Sequence, residues 1–257
     1  MNIQILGPEF QAKEEFDGGK IKAQKPIGFP GQGAKTVRLG PLFYWGWGHA
    51  EAEGGLGFHP HQGFEIMTYG IAGRNYHRDT IGTESILGPG DLQLMQTGSG
   101  IQHAERVEAG SEAFQIWLEP YLNEAVRRVP TYTFFKHEQF PQVSQEGVNV
   151  KTILGEGSPI LQLVTDARMF DVELQPGASY AHRLLPNRTL AGLAFRGTGG
   201  SLLVSGQDSV SFKNKDFAIV QSEQESDINI RAEGEKLRIF LIEVPKEVEY
   251  PLYNKRR

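Results

Sequence analysis

Residues Gly57–Gly73 read "GFHPHQGFEIMTYGIAG". Two histidines, His59 and His61, alternate around a proline and lead into an apolar, aromatic run that ends at a glycine. Residues i and i+2 of a β-strand point to one face, so both imidazoles project together. The same spacing returns at His103 and Glu105 in "GSGIQHAERV", behind a glycine-rich turn. Two such pairs on neighbouring, inward-facing strands can bring four ligands to one ion. Imidazole and carboxylate suit iron, nickel, copper, manganese, cobalt or zinc. Strict alternation also puts Glu65 on the face of His61, which leaves it a rival fourth ligand.

The pattern around this stretch is that of an all-β chain. Segments such as "AFQIWLEP", "SLLVSG", "DFAIVQ" and "LRIFLIEV" are short, rich in β-branched and aromatic residues, and bounded by Gly or Pro. A helical pattern fits only Leu122–Arg128, between Pro120 and Pro130. A repeat is also visible. "YGIAG", ending at Gly73, precedes Asp91 of "GPGDLQLMQTG" by 18 residues, and "LAFRG", ending at Gly197, precedes Asp216 by 19. Two tandem β-barrels follow, with expected boundaries 1–130 and 146–257 and a linker at 131–145.

Composition narrows the function. There are no cysteines, so thiolate sites and disulfides are excluded and any metal is held by His and carboxylate. The net charge of −5 argues against direct nucleic-acid binding. No apolar run approaches the roughly 20 residues of a membrane helix. The start, "MNIQILGPEF", lacks a signal-peptide pattern, so a cytoplasmic protein is expected. The terminal Lys255, Arg256 and Arg257 read as a solvated tail.

The histidine segments resemble the two motifs of the cupins and, in detail, the pirin family. The resemblance rests on His59-Pro60-His61-Gln62-Gly63-Phe64-Glu65, then His77-Arg78-Asp79, Gly88-Pro89-Gly90-Asp91, Gln93, Met95 and His103-Ala104-Glu105. It covers roughly residues 40–120. Gln62 stands where the family usually has Arg, and Ala104 where Ser is common. The resemblance implies a bicupin, two jelly-roll-like barrels, with one divalent transition metal in the N-terminal barrel. It assigns the ligands to His59, His61, His103 and Glu105, with iron(II) first among the candidate metals, and leaves Glu65 a structural or supporting role. It further implies a dioxygenase that opens a flavonol-like, quercetin-type ring with O2 and releases carbon monoxide; at such a site Glu105 or a bound water takes the substrate's proton. An alternative within the same resemblance is a redox-responsive regulatory protein that binds a protein partner.

The repeat offers a check on the second barrel. Counting from Gly197 and Asp216 places Arg183, Leu185, Ile228 and Ile230 at the four ligand positions, and turns His182 to the other face. A metal-free C-terminal barrel is therefore expected. Tandem barrels can bury their own inner surfaces, so a monomer is expected. His77-Arg78-Asp79 also occurs in kinase catalytic loops, but the leucine, asparagine and phosphate loop that accompany it there are missing. A hairpin-turn salt bridge is expected instead.

Overall fold

The computed structural model describes residues 2–204 and 208–253; the terminal Lys255, Arg256 and Arg257 lie outside them. Among the described residues, strands hold 57% and helix 5%, which makes the chain all-β. The helical pattern is realised as one short helix, Leu122–Ala125.

The strands divide into two sets with the same order. In the first, a seven-stranded sheet runs Thr131–Phe135, Leu92–Gln96, Glu65–Ala72, Glu112–Leu118, Leu42–Ala50, Ile21–Ile27 and Ala12–Phe16. A four-stranded sheet, Gly54–His61, Ile101–Val107, Asn75–Asp79 and Glu84–Leu87, completes this barrel. In the second, the larger sheet runs Asn2–Leu6, Phe217–Ser222, Arg188–Arg196, Leu237–Pro245, Arg168–Leu174, Val148–Leu154 and Gln142–Gln145. Its smaller sheet is Ser179–Leu184, Ser226–Ala232, Gly199–Val204 and Val210–Lys213. All named pairings are antiparallel, so each strand turns one side chain in two inward.

Two boundary expectations are corrected. Thr131–Phe135 is not linker: it pairs with Leu92–Gln96 and buries Phe135. "TYTFF" is strand-forming, and the exposed edge at Leu92–Gln96 gives it a partner. Residues 142–145 likewise pair with Val148–Leu154 in the second barrel. The N-terminal strand Asn2–Leu6 belongs to the second barrel, where it pairs with Phe217–Ser222 and packs Ile3 and Ile5 on that core. The expected block 1–130 therefore does not hold at its start, because the edge strand of a sheet comes from whichever segment reaches it.

The repeat-based register is corrected as well. His103 pairs with His59, and its counterpart Ile228 pairs with His182. Ile101 pairs with His61, and Ser226 with Leu184. The equivalents of His59 and His61 are therefore His182 and Leu184, not Arg183 and Leu185. Twelve residues separate His61 from Gly73 but thirteen separate Leu184 from Gly197, so counting back through the turn slips by one. His182 is buried, not turned outward.

Candidate metal centre in the N-terminal barrel

His59 and His61 lie near the end of Gly54–His61, and His103 sits directly across from His59 on Ile101–Val107. Ligand atoms of the three rings all fall within 4.8 Å of one another. The Nε2 atoms of His61 and His103 are 3.1 Å apart. Two nitrogens bound at about 2.1 Å to one ion, at roughly right to tetrahedral angles, are separated by about 3.0–3.4 Å, so this spacing fits a shared metal.

Burial keeps these rings ready to ligate. Desolvation, followed by the charge of His59, holds His61 down at about 4. Desolvation, then His59, His61 and His77, hold His103 at about 2. Both are neutral imidazoles at pH 7 with a lone pair to give.

The hydrogen bonds aim those lone pairs. The Gly57 carbonyl accepts from His59 Nδ1 at 2.9 Å, which frees Nε2. Asp79 Oδ2 accepts from His77 Nε2 at 3.0 Å, so His77 Nδ1 is an acceptor facing His103 Nδ1 at 3.4 Å. His103 is thereby set to present Nε2 toward His61. The Asp79 carboxylate also accepts from the backbone of Ile81 and Thr83, closing the hairpin. The turn contact is thus a hydrogen bond of a neutral His77 rather than the expected salt bridge, and the same histidine supports His103. That second role was missed, although the 2-residue spacing of His77 and Asp79 repeats the spacing of both ligand pairs. His77 pairs across from Glu105 on the same inward face and stacks on Tyr132 at 4.5 Å.

Glu105 lines the same cavity as the histidines, but among the described residues it is not part of the mutually close group. Its Oε1 accepts from Gln115 Nε2 at 3.2 Å, and Gln115 Oε1 accepts from the Trp117 indole at 3.1 Å. Burial pushes this carboxyl upward, opposed by His59 and by the Gln115 hydrogen bond. Glu65 has a different task. It accepts from Gln96 Nε2 and from the backbone N–H groups of Val164 and Thr165, at 2.7–2.9 Å. Gly63, at φ +82°, turns the chain between His61 and Glu65, which breaks the alternation that would have put them on one face.

His59 and His61 open into a cavity of about 330 Å³. One wall is aromatic: Trp117 meets His61 edge-on at 4.9 Å, and Tyr44 lies 4.7 Å from Trp117. Gly46 and Gly48 on the Tyr44 strand leave the space open. Burial, then the charges of Glu14 and Glu105, push the Tyr44 phenol well above its ordinary range, so it stays protonated. Gln62, at the expected Arg position, donates to the Ser99 carbonyl at 2.9 Å.

A family profile described as Pirin matches residues 43–118, which contain His59, His61, His77, His103 and Glu105. Across this region the chain is similar to the pirin family. It is 35% identical over 157 residues to pirin-like protein 2 of Arabidopsis thaliana, covering 59% of this chain and 48% of that protein. It is 26% identical over 219 residues to putative quercetin 2,3-dioxygenase Ta0133 of Thermoplasma acidophilum, covering 76% of this chain and 82% of that protein. The match spans only 48–60% of the length of the plant and mammalian pirins. Among solved structures, bacterial pirin YhhW of Escherichia coli in complex with nickel(II) shares the fold, with a TM-score of 0.75 at 21% identity over 95% of this chain and 99% of that one. The two barrels make the fold a bicupin. Among the described residues, no helix is long and apolar enough to cross a membrane.

Proposed function

We propose that this protein is a metal-dependent dioxygenase that opens a flavonol-like ring with O2 and releases carbon monoxide. The observation that carries the reading is a cluster of three imidazoles, two of which, His59 and His61, line an aromatic-walled cavity. A regulatory sensor requires no such cavity, whereas an enzyme requires a path from solvent to the ligands. The name of the Thermoplasma relative supports the substrate class.

His59, His61 and His103 would hold the ion, with Glu105 the proposed fourth ligand and iron(II) the first candidate. The chemistry such an ion supplies is Lewis acidity, which lowers the pKa of an enolic hydroxyl and favours its electron-rich anion for reaction with O2. The remaining work falls to the chain. Glu105 Oε2, left free by the Gln115 bond to Oε1, takes the hydroxyl proton. Trp117 holds Gln115, and so fixes the carboxylate, while its ring forms the wall against which a flat substrate lies. Quercetin and O2 yield the ring-opened ester and carbon monoxide without a further co-reactant.

The test is O2 uptake with quercetin by protein loaded anaerobically with iron(II), alongside His103→Ala. Metal-dependent uptake with carbon monoxide release, lost in the variant, is expected. A wild type that holds one metal and consumes no O2 would overturn the reading in favour of the regulatory one.

A further inference from the structure

The inner face of Ile21–Ile27 carries Ile21, Ala23 and then Lys25, whose side chain is only 2% exposed. A buried ammonium is costly unless paired, and even a paired one stabilises no better than an apolar side chain of similar size. Packing therefore leaves Lys25 unexplained. Its Nζ pairs with Glu14 and lies 3.4 Å from Gln32 Oε1. Gln32 Oε1 also accepts from the Phe29 backbone at 3.1 Å, which ties the loop to the pair. All three side chains line the cavity of the histidines.

The polar group and the histidines stand at two ends of one aromatic wall. Lys25 Nζ is 5.3 Å from the Tyr44 ring centroid, Tyr44 is 4.7 Å from Trp117, and Trp117 is 4.9 Å from His61. A ligand spanning the cavity is thus flat and aromatic in the middle and polar at both ends. Glu14 and Lys25 already neutralise each other. A carboxylate arriving there would meet the like charge of Glu14, whereas a hydroxyl can donate to Glu14 and accept from Lys25.

We propose that Glu14, Lys25 and Gln32 form a subsite that recognises a neutral hydroxyl on the distal ring of the substrate. The inference rests on the dioxygenase reading for the near end of the cavity, and it makes Lys25 a specificity residue rather than a structural one.

The test is equilibrium binding to zinc(II)-loaded protein, which needs no turnover, read by quenching of tryptophan fluorescence. The probes are 3-hydroxyflavone and 3,4′-dihydroxyflavone, which differ by one distal hydroxyl. Wild type is expected to bind the dihydroxy compound at least about tenfold tighter, the factor of one hydrogen bond to a charged group. Lys25→Met is expected to bring the two within about twofold, with 3-hydroxyflavone still bound. If that variant does not fold, Glu14→Gln, of equal volume, reads the same loss of preference. Equal binding of both compounds by wild type, or a preference that survives the variants, overturns the subsite alone. Tighter binding of a 4′-carboxylate analogue overturns the hydroxyl assignment. Failure of both flavones to bind overturns the flavonol reading itself, and the subsite falls with it.

Discussion

The two barrels share one strand order and have opposite interiors. The pairing registers align them residue by residue: Gln115 lies opposite Gly46 in the first, and Leu241 opposite Phe170 in the second. By the same alignment Gly48 becomes Val172, Glu105 becomes Ile230, His77 becomes Leu202 and His103 becomes Ile228. The second set belongs to one continuous apolar core. Where the first barrel has Tyr44, Trp117 and His59, the second has Arg168, Glu243 and His182. There the Glu243 carboxylate is ion-paired with Arg188 at 2.6 Å and Arg168 at 3.0 Å and lies 2.8 Å from His182. A jelly roll thus becomes a site when glycines and hydrogen-bonding side chains keep its interior open. It becomes a scaffold when branched and aromatic side chains fill it and its remaining charges satisfy one another.

The sharpest way to break this comparison is metal stoichiometry. One transition ion per chain is expected by elemental analysis, lost in His103→Ala and kept in His182→Ala. Loss of metal in both variants would mean that the second barrel is not a scaffold. Next in size, Glu243→Gln leaves Arg188, Arg168 and His182 without their shared anion, at a cost of about 3–5 kcal/mol. A urea titration reads it, with metal content unchanged. Asp79→Asn weakens the support of His77 and His103, and metal affinity falls about ten- to a hundredfold in a competition assay with a chelator.

Gly48→Val writes the second barrel's residue into the first. The added Cβ meets only the Ala113 carbonyl, at 3.8 Å, so the strand accepts it and the branched side chain takes up cavity space. Flavonol binding is expected to weaken about tenfold while thermal stability does not fall, since valine suits a strand better than glycine. The smallest effect is on pH. The folded-state value of His61, about 4, lies below its unfolded value of about 6.5. The unfolded chain therefore binds more protons between these values, and the contribution to stability is complete above pH 6.5 and lost as pH falls toward 4. His103, held near 2, acts in the same direction. The urea midpoint of metal-free protein should drop from pH 7 to pH 5, and His61→Gln should flatten that drop.

Much of this is legible in the sequence. His59, His61 and His103 could be picked out because period-2 spacing on a strand is a local rule that tertiary packing does not alter. Glu65 could not be sorted from Glu105, because a single glycine in the left-handed region at Gly63 resets the phase of the strand. His182 was misjudged for a related reason: one extra residue in a turn moves every side chain before it to the other face. Lys25 and Glu14 carried no signal in sequence, since a lysine on a strand ordinarily faces solvent.

What sequence by itself determined is the set of strands, their duplication and the histidine pairs, all of which depend on residues within a few positions of each other. Tertiary structure alone decided that Asn2–Leu6 completes the second barrel, that His77 backs His103, and that Lys25 is enclosed with Glu14 on the wall of a cavity. Each of these joins segments far apart in the chain. Their meeting is set by which edges and faces remain to be covered once the sheets have formed, and no local pattern of residues encodes that.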